Sequence, residues 1–273
     1  MYNWGRVSTI TTGRTRHMLR ATTVTHLARA LTKLYRTPSR TYPPLKARIS
    51  ASMATQSSIK SPIDVLDFWF GDAYSDAAKR HLLEDTAFMG KMSGTLWYAG
   101  TSADESCMRF VSTIEAAAAG TIETADPAWM AEPDASIAKV ILFDQLTRNC
   151  FRGTDRAFAC DGAALELSRR LAKDTKLVNE LPASVLHFIG SPFLHSENLE
   201  DHDMALALNG VTLAKNETAA MYARPHIINH RDIIARFGRY PHRNKAMERE
   251  DTEEETTWLE SDEVPGWAKS QMK

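Results

Sequence analysis

The sequence has few of the residues and motifs that mark several common protein classes. Its 273 residues include only three cysteines, Cys107, Cys150 and Cys160, and none forms a C-x-x-C pair. A disulfide framework and a zinc ribbon are therefore both disfavoured. The motifs G-x-G-x-x-G, G-x-x-x-x-G-K-[ST] and G-x-S-x-G are also absent, which removes the usual nucleotide-binding and serine-hydrolase signatures. No run approaches the roughly 18 consecutive apolar residues of a membrane span, so we expect a soluble protein.

Acidic residues are absent from the first part of the chain. Residues 1–62 hold 11 of the 33 Lys and Arg residues and none of the 34 Asp and Glu residues. The formal net charge of -1 therefore combines a basic arm with an acidic body, residues 63–273, whose charge is -12. An acidic body disfavours nucleic acid as the main partner, because duplex binding requires a basic face.

The arm has the composition of an organelle transit peptide, since it is rich in Ser, Thr and Arg and free of acid. Residues 24–36 place Val24 and Leu27 on one helical stripe and Arg29 on the opposite side. Prolines and serines that follow are typical of a linker. We predict a disordered arm that directs import into a mitochondrion. A plastid is the alternative, as is the cytoplasm if translation starts at Met53.

The body contains residues that typically start or end helices. Ser61 begins an N-cap pattern, and capping boxes are predicted at Ser102 and Thr252. The helix after Ser102 is expected to bury Met108. Further helix starts are predicted at Asp134, Asp161 and Ser196, and helix ends at Gly71, Gly120 and Gly238. Strand-like alternation is scarce and the connections are short. The sequence therefore predicts one compact all-α domain of antiparallel helical hairpins.

Three short segments, 143–156, 193–198 and 230–244, carry more polar and charged residues than packing requires. Each lies where an apolar helix is predicted to begin or end, and guanidinium groups gathered there would suit a carboxylate or a phosphate. The predicted ligand-binding residues are Asp144, Arg148, Asn149, Arg152, Arg156, Arg236, Arg239, Arg243 and Asn244. The catalytic candidates are His195 and His242, chosen because imidazole transfers protons near neutral pH, together with Glu197. Glu197 and Asp144 would orient these histidines or pair with an arginine.

A structural interpretation competes with the ligand-binding one. Arginines after the last apolar turn often bind helix C-terminal carbonyls, and Asp232 and Arg236 have the spacing of a surface ion pair. His226 and His230 have a spacing that metal ligands use, but there is no H-E-x-x-H motif, and the neighbouring arginines would repel a dication. We therefore predict neither a metal nor another cofactor.

Four stretches of the body resemble the family catalogued as domain of unknown function 924. They are VLDFWFG (65–71), ILFDQLTRNCFRGTDRAFACD (141–161), FLHSENLEDHD (193–203) and HRDIIARFGRYPHRN (230–244), and DTEEETTWL (251–259) is similar to the family's closing segment. The resemblance implies an all-α fold similar to tetratricopeptide-repeat domains. It supplies no reaction, because the family's activity is not established. The family's motif positions fall here on Asp144, Gln145, Arg148, Asn149, Phe151, Arg152, His195, Ser196, Glu197, Arg236, Phe237, Gly238, Arg239, Pro241, His242, Arg243 and Asn244.

The chain departs from the family pattern in two places. Leu146-Thr147 stands where the family usually has Phe-Pro, and Met247-Glu248-Arg249 stands where it often has Leu-Gly-Arg. Glu248 adds negative charge beside the predicted anion site.

We predict a protein that binds an anionic small ligand in an Arg/His-lined pocket, with hydrolase or isomerase activity. The alternative is a helical scaffold that binds a peptide or protein. Unpaired guanidinium groups around one cavity would favour the ligand, whereas arginines bridged to carboxylates at helix junctions would favour the scaffold.

Overall fold

The computed structural model describes residues 58–272, and this part of the chain is helical with no β-strand. The all-α prediction is confirmed, whereas the predicted transit segment at residues 24–36 and the start at Met53 lie outside the described residues. The α-helices are α1 (Pro62–Phe70), α2 (Thr86–Met92), α3 (Asp104–Cys107), α4 (Val111–Ala119), α5 (Ile122–Ala125), α6 (Asp134–Val140), α7 (Thr147–Cys150), α8 (Asp161–Lys173), α9 (Thr175–Glu180), α10 (Ala183–His195), α11 (Leu199–Lys215), α12 (Glu217–Phe237), α13 (Glu253–Leu259) and α14 (Gly266–Gln271).

Shorter helical turns connect these elements. The 3₁₀ turns are Arg80–Glu84, Gly100–Ala103, Met108–Phe110, Pro127–Met130, Asp155–Ala157 and Pro241–Arg243, and the π-helical turns are Ser93–Trp97 and Ile141–Leu146. Among residues 58–272, no helix has both the length and the apolar character that a membrane crossing requires.

Several helix ends follow directly from the sequence. Ser61 and Thr252 each accept a hydrogen bond from the backbone three residues later, and the acid at that position bonds back, so both form complete capping boxes. Gly71, Gly120 and Gly238 end their helices with positive φ angles of 63°, 69° and 68°. Glycine adopts this left-handed conformation without steric penalty.

Two predicted helix starts are wrong. Ser102 lies in a 3₁₀ turn, and its hydroxyl donates to the carbonyl of Ala99 instead of capping a helix. The following helix therefore starts later and in a different register, which leaves Met108 49% exposed. Ser196 does not cap α11, because Asn198 performs that role by accepting a hydrogen bond from the amide of Glu200.

The apolar side chains form two separate clusters. The larger one lies where α1, α6, α8, α10 and α11 pack together, and Trp69, Phe70 and Phe188 meet at its centre with mostly edge-to-face rings. The smaller cluster contains residues of α12, α13 and α14 together with the buried ring of Tyr240. The C-terminal helices thus have a small core of their own.

The π-helical turn Ile141–Leu146 lies between α6 and α7 and is buried throughout. The amide of Thr147 bonds to the carbonyl of Leu142, five residues earlier, and the Thr147 hydroxyl donates to the carbonyl of Phe143 at 2.8 Å. A proline at position 147 could make neither bond. Such widened turns are rare and occur frequently at functional sites.

Candidate functional site

The π-helical turn Ile141–Leu146 places the buried carboxylate of Asp144 next to His195, the last residue of α10. Asp144 is fully buried, and its Oδ1 lies 2.7 Å from Nδ1 of His195, while Gln145 donates to its Oδ2 at 2.6 Å. Burial alone would raise the pKa of Asp144, but its interactions with His195 and with the guanidinium of Arg148, together with the hydrogen bonds from His195 and Gln145, hold this pKa below its ordinary value. Asp144 is therefore a carboxylate at neutral pH.

The imidazole of His195 is neutral and has a fixed tautomer. Burial, helped by the charge of Arg148, lowers its pKa despite the opposing effect of Asp144. Because the carboxylate accepts the Nδ1 proton, Nε2 presents a lone pair. Within residues 58–272, Nε2 has no hydrogen-bond partner, and the side chain remains 19% exposed.

A row of polar side chains runs along each of the neighbouring helices α10 and α12. We call the space between these rows the imidazole groove, and its members, spaced four residues apart on each helix, are His187, Ser191 and His195 on α10 and Tyr222, His226 and His230 on α12. The rings of His195 and His230 approach to 5.9 Å between centroids. The spacing of His187 and His195 gives the groove a length of about 12 Å.

The inner wall of the groove is held in place by Trp267 of α14. Its ring stacks on His230 with a centroid distance of 3.8 Å and an interplanar angle of 10°. Nδ1 of His230 lies 2.7 Å from the carbonyl of His226 and donates to it, so Nε2 of His230 also presents a lone pair. Burial, together with the charge of His195, lowers the pKa of His230 well below its ordinary value.

Tyr98 stands at the other end of the groove and hydrogen-bonds through its hydroxyl to Nε2 of His187. Tyr98 is 54% exposed, yet desolvation by the surrounding protein raises its pKa, with further contributions from Tyr222 and Asp144. Burial and the charges of His226 and His195 lower the pKa of His187 to about 4. Sequence analysis missed both residues, although His187 shares a helix face with His195.

The structure separates the three predicted catalytic residues. His242 is 5% exposed and packs against Tyr240 and Trp267, with ring centroids 5.3 and 5.2 Å away. Burial holds its pKa well below the ordinary value. Glu197 accepts hydrogen bonds from Arg249 at 2.9 Å and from the amide of Tyr240 at 2.9 Å. Of the three, His195 lines the groove.

Two of the predicted ligand-binding arginines belong to a buried ion-pair network behind the groove. Arg148 and Arg243 both contact Oδ2 of Asp161, at 3.0 and 3.1 Å. Arg148 also lies 3.4 Å from Oδ1 of Asp144, so the two guanidinium groups are balanced by two buried carboxylates. Asn244, fully buried next to this network, donates to Asp251 at 2.7 Å.

Three further predicted residues lie at a junction between α3, α4 and the segment after α7. Arg152 and Asn149 both donate to the carboxylate of Asp104, at 2.7 and 3.0 Å. Arg156 contacts Glu115 at 2.7 Å. These side chains join helices that are far apart in sequence.

Arg236 and Arg239 line a cavity of about 550 Å³ near the C-terminus. Arg239 contacts both carboxylate oxygens of the buried Glu255 at 2.6 Å, and Arg236 contacts Glu254 at 2.8 Å. The hydrogen bond from Arg239 is the main reason why the pKa of Glu255 falls to about 2. The predicted arginines thus occupy three places instead of one pocket, because each has a carboxylate within reach on a neighbouring element.

Metal ligation was tested on the same geometry. Across the described residues, no three His, Cys, Asp or Glu side chains are arranged so that they could hold a metal ion. Burial raises the pKa of Cys107 to about 11 and that of Cys150 and Cys160 to about 12, so these thiols are protonated at neutral pH.

Comparisons with known proteins agree with the helical architecture. A family model described as "Bacterial protein of unknown function (DUF924)" matches residues 65–263. The structure is similar to that of a protein of unknown function from Agrobacterium tumefaciens, with 30% sequence identity and a TM-score of 0.50. That similarity covers 73% of this chain and 96% of the other chain. No curated protein matches.

Proposed function

The chain belongs to the DUF924 family of bacterial proteins of unknown function, and we propose that it is an enzyme in which His195 acts as a general base. The observation that carries this proposal is the hydrogen bond of 2.7 Å between His195 and the buried Asp144. The bond leaves Nε2 of His195 as a lone pair in the imidazole groove. A carboxylate that holds an imidazole in this way is the arrangement of acid–base dyads in hydrolases.

The reaction class follows from what this dyad can do. Nε2 of His195 removes a proton from a hydroxyl group, a water molecule or an acidic C–H, and the resulting imidazolium is stabilised by Asp144. The imidazolium then returns the proton to the leaving group or to a neighbouring carbon. Both hydrolysis and isomerisation begin with such a step. The lowered pKa of His195 favours the neutral, basic form of its imidazole at neutral pH.

The experiment that tests this proposal measures proton transfer in variants that keep the fold. The assays are a panel of chromogenic hydrolase substrates and solvent-deuterium incorporation into small carbonyl compounds. We expect His195→Gln and Asp144→Asn to lower kcat/KM by about 10²-fold or more. The exposed His81 provides the control His81→Gln. A His195→Gln protein that folds normally and keeps full activity would refute the proposal.

A second candidate function is a scaffold for a peptide or protein, and the paired arginines favour it. Arg152, Arg156 and Arg239 each bridge to a carboxylate on another element. In this case Arg152→Ala would abolish binding of the partner, because it disturbs the packing of the helices. His195→Gln would have no effect on partner binding.

We also propose that the basic arm directs the protein to mitochondria. The support is its composition, with 11 Lys and Arg residues and no acid in residues 1–62. A fluorescent protein fused to residues 1–62 should be imported, whereas the same chain started at Met53 should remain outside. Accumulation of the longer fusion in plastids or in the cytoplasm would contradict this proposal.

A further inference from the structure

We propose that the imidazole groove takes an uncharged ligand that stacks a flat aromatic ring or the apolar face of a sugar ring on Tyr98 and presents a hydroxyl group to His195. This inference rests on the proposed function, because it names the class of substrate on which the dyad acts.

The ring-binding end of the groove is built from aromatic side chains that solvent can reach. Tyr98 is 54% exposed and Tyr222 is 36% exposed. Tyr222 lies 5.3 Å from His226 in a tilted arrangement, and Tyr98 meets His187 nearly edge to face, at 87°. Flat ligands gain from stacking on such rings, because the apolar faces are removed from water.

The orientation of Tyr98 is set before any ligand arrives. Its hydroxyl bonds to Nε2 of His187, which is itself part of α10. A ring held in this way loses little rotamer freedom when a ligand stacks on it. A free exposed tyrosine would lose more.

The other end of the groove accepts hydrogen bonds. Nδ1 of His195 donates to Asp144 and Nδ1 of His230 donates to a carbonyl, so both Nε2 atoms have lone pairs to offer. A hydroxyl group satisfies such an acceptor and supplies the proton that a general base removes. The two ends are about 12 Å apart, which accommodates a ring with a hydroxyl-bearing substituent.

Charge disfavours an anion in the groove. The imidazoles of His187, His195 and His230 are neutral, and Arg148 and Arg243 behind them are bonded to Asp161. A phosphate or carboxylate would have to compete with this carboxylate for the guanidinium groups and would meet Asp144 as well. An uncharged ligand has no such cost.

The experiment measures binding of two matched probes by saturation-transfer NMR with the full chain. Phenyl β-D-glucopyranoside offers uncharged rings and hydroxyl groups, and phenyl phosphate replaces the sugar by an anion. We expect the glucoside to bind and the phosphate to bind at least about tenfold more weakly. Tyr98→Ala should weaken glucoside binding by about tenfold, and Tyr98→Phe, which keeps the ring, by about threefold.

Control variants separate a lost contact from a damaged fold. Met130→Ala removes another exposed side chain, on the 3₁₀ turn Pro127–Met130, and should bind the glucoside like the parent protein. Tyr98→Phe retains the packing if Tyr98→Ala unfolds. Tighter binding of phenyl phosphate, equal binding by the two Tyr98 variants and the parent, or no glucoside binding at millimolar concentration would each overturn the inference.

The two proposals fail in different ways. If glucoside binding depends on Tyr98 but His195→Gln transfers protons as fast as the parent protein, His195 is not the general base, while the proposed ligand class is still supported. If proton transfer depends on His195 but Tyr98 has no effect on binding, the general base is supported and the proposed ligand class is refuted.

Discussion

His202 is a buried histidine whose protonation should weaken the fold. It has no solvent exposure, and its Nε2 donates to the carbonyl of Ser196 at 3.1 Å, while Nδ1 lacks a hydrogen-bond partner among residues 58–272. Burial lowers its pKa from 6.5 to about 4. An unfolded chain therefore takes up a proton at this residue at a higher pH than the folded protein does.

The direction and size of the effect follow from this difference in pKa. The unfolded state binds more protons than the folded state between about pH 6.5 and pH 4, so the free energy of unfolding falls as the pH falls through this range. With pKa values of 6.5 and about 4, His202 alone lowers the free energy of unfolding by about 2 kcal/mol between pH 7.5 and pH 5. His187, whose pKa is also about 4, adds a similar loss.

The measurement is urea unfolding at pH 7.5 and at pH 5.0 for the parent protein and for His202→Gln. The glutamine amide can still donate to the carbonyl of Ser196 but cannot take up a proton in this range. The loss between the two pH values should therefore shrink by about 2 kcal/mol in the variant. His81→Gln, at an exposed histidine, should leave that loss unchanged.

Either of two results would refute this reasoning. If His202→Gln loses as much free energy of unfolding as the parent on acidification, then burial of His202 does not set its protonation. If His81→Gln shrinks the loss equally, the effect belongs to unfolded-state charge and not to the buried ring.

Three further predictions concern stability and are checked by urea unfolding at pH 7.5. Asp161→Asn leaves two buried guanidinium groups with a weaker partner and should cost about 3–5 kcal/mol, and a cost below 1 kcal/mol would contradict the buried network. Glu248→Gly should stabilise the protein by about 1 kcal/mol, because Glu248 has a φ of 53°, a left-handed conformation that glycine adopts without steric penalty; a destabilised variant would show that contacts of the Glu248 side chain outweigh this strain. Arg239→Ala should cost about 1–3 kcal/mol, because it removes the partner of the buried Glu255, whereas the control Arg236→Ala removes a solvent-exposed pair and should change stability much less. Equal effects of the two arginine variants would contradict this distinction.

Helix boundaries were predictable where a local signal determines them. Ser61 and Thr252 have both halves of a capping box, and Gly238 supplies the left-handed residue that ends α12, so a few neighbouring residues suffice. Ser102 has the same local pattern but lies in a 3₁₀ turn, where its hydroxyl donates to the carbonyl of Ala99, and the next helix starts at Asp104. Local propensity is then overridden by tertiary contacts.

The candidate site was only partly predictable, because its residues meet through tertiary packing. Asp144 was expected to orient a catalytic histidine or to pair with an arginine, and in the structure it contacts His195, 51 positions away in sequence. The partner of each arginine depends on which helices become neighbours, so no spacing rule connects Arg152 to Asp104. Tyr98 joins the groove through a contact with His187, 89 positions away, which periodicity along one helix does not reveal.

The separate C-terminal core has a consequence for how the protein opens. The helices α13 and α14 rest on their own small apolar cluster, and their links to the rest of the protein include polar contacts such as that of Arg152 with the carbonyl of Ser270. Polar links weaken with salt more than apolar ones do. We therefore expect this part to open as one cooperative unit at a lower cost than global unfolding. Because Trp267 stacks on His230, such an opening would uncover that imidazole and link access to the groove to a local unfolding equilibrium.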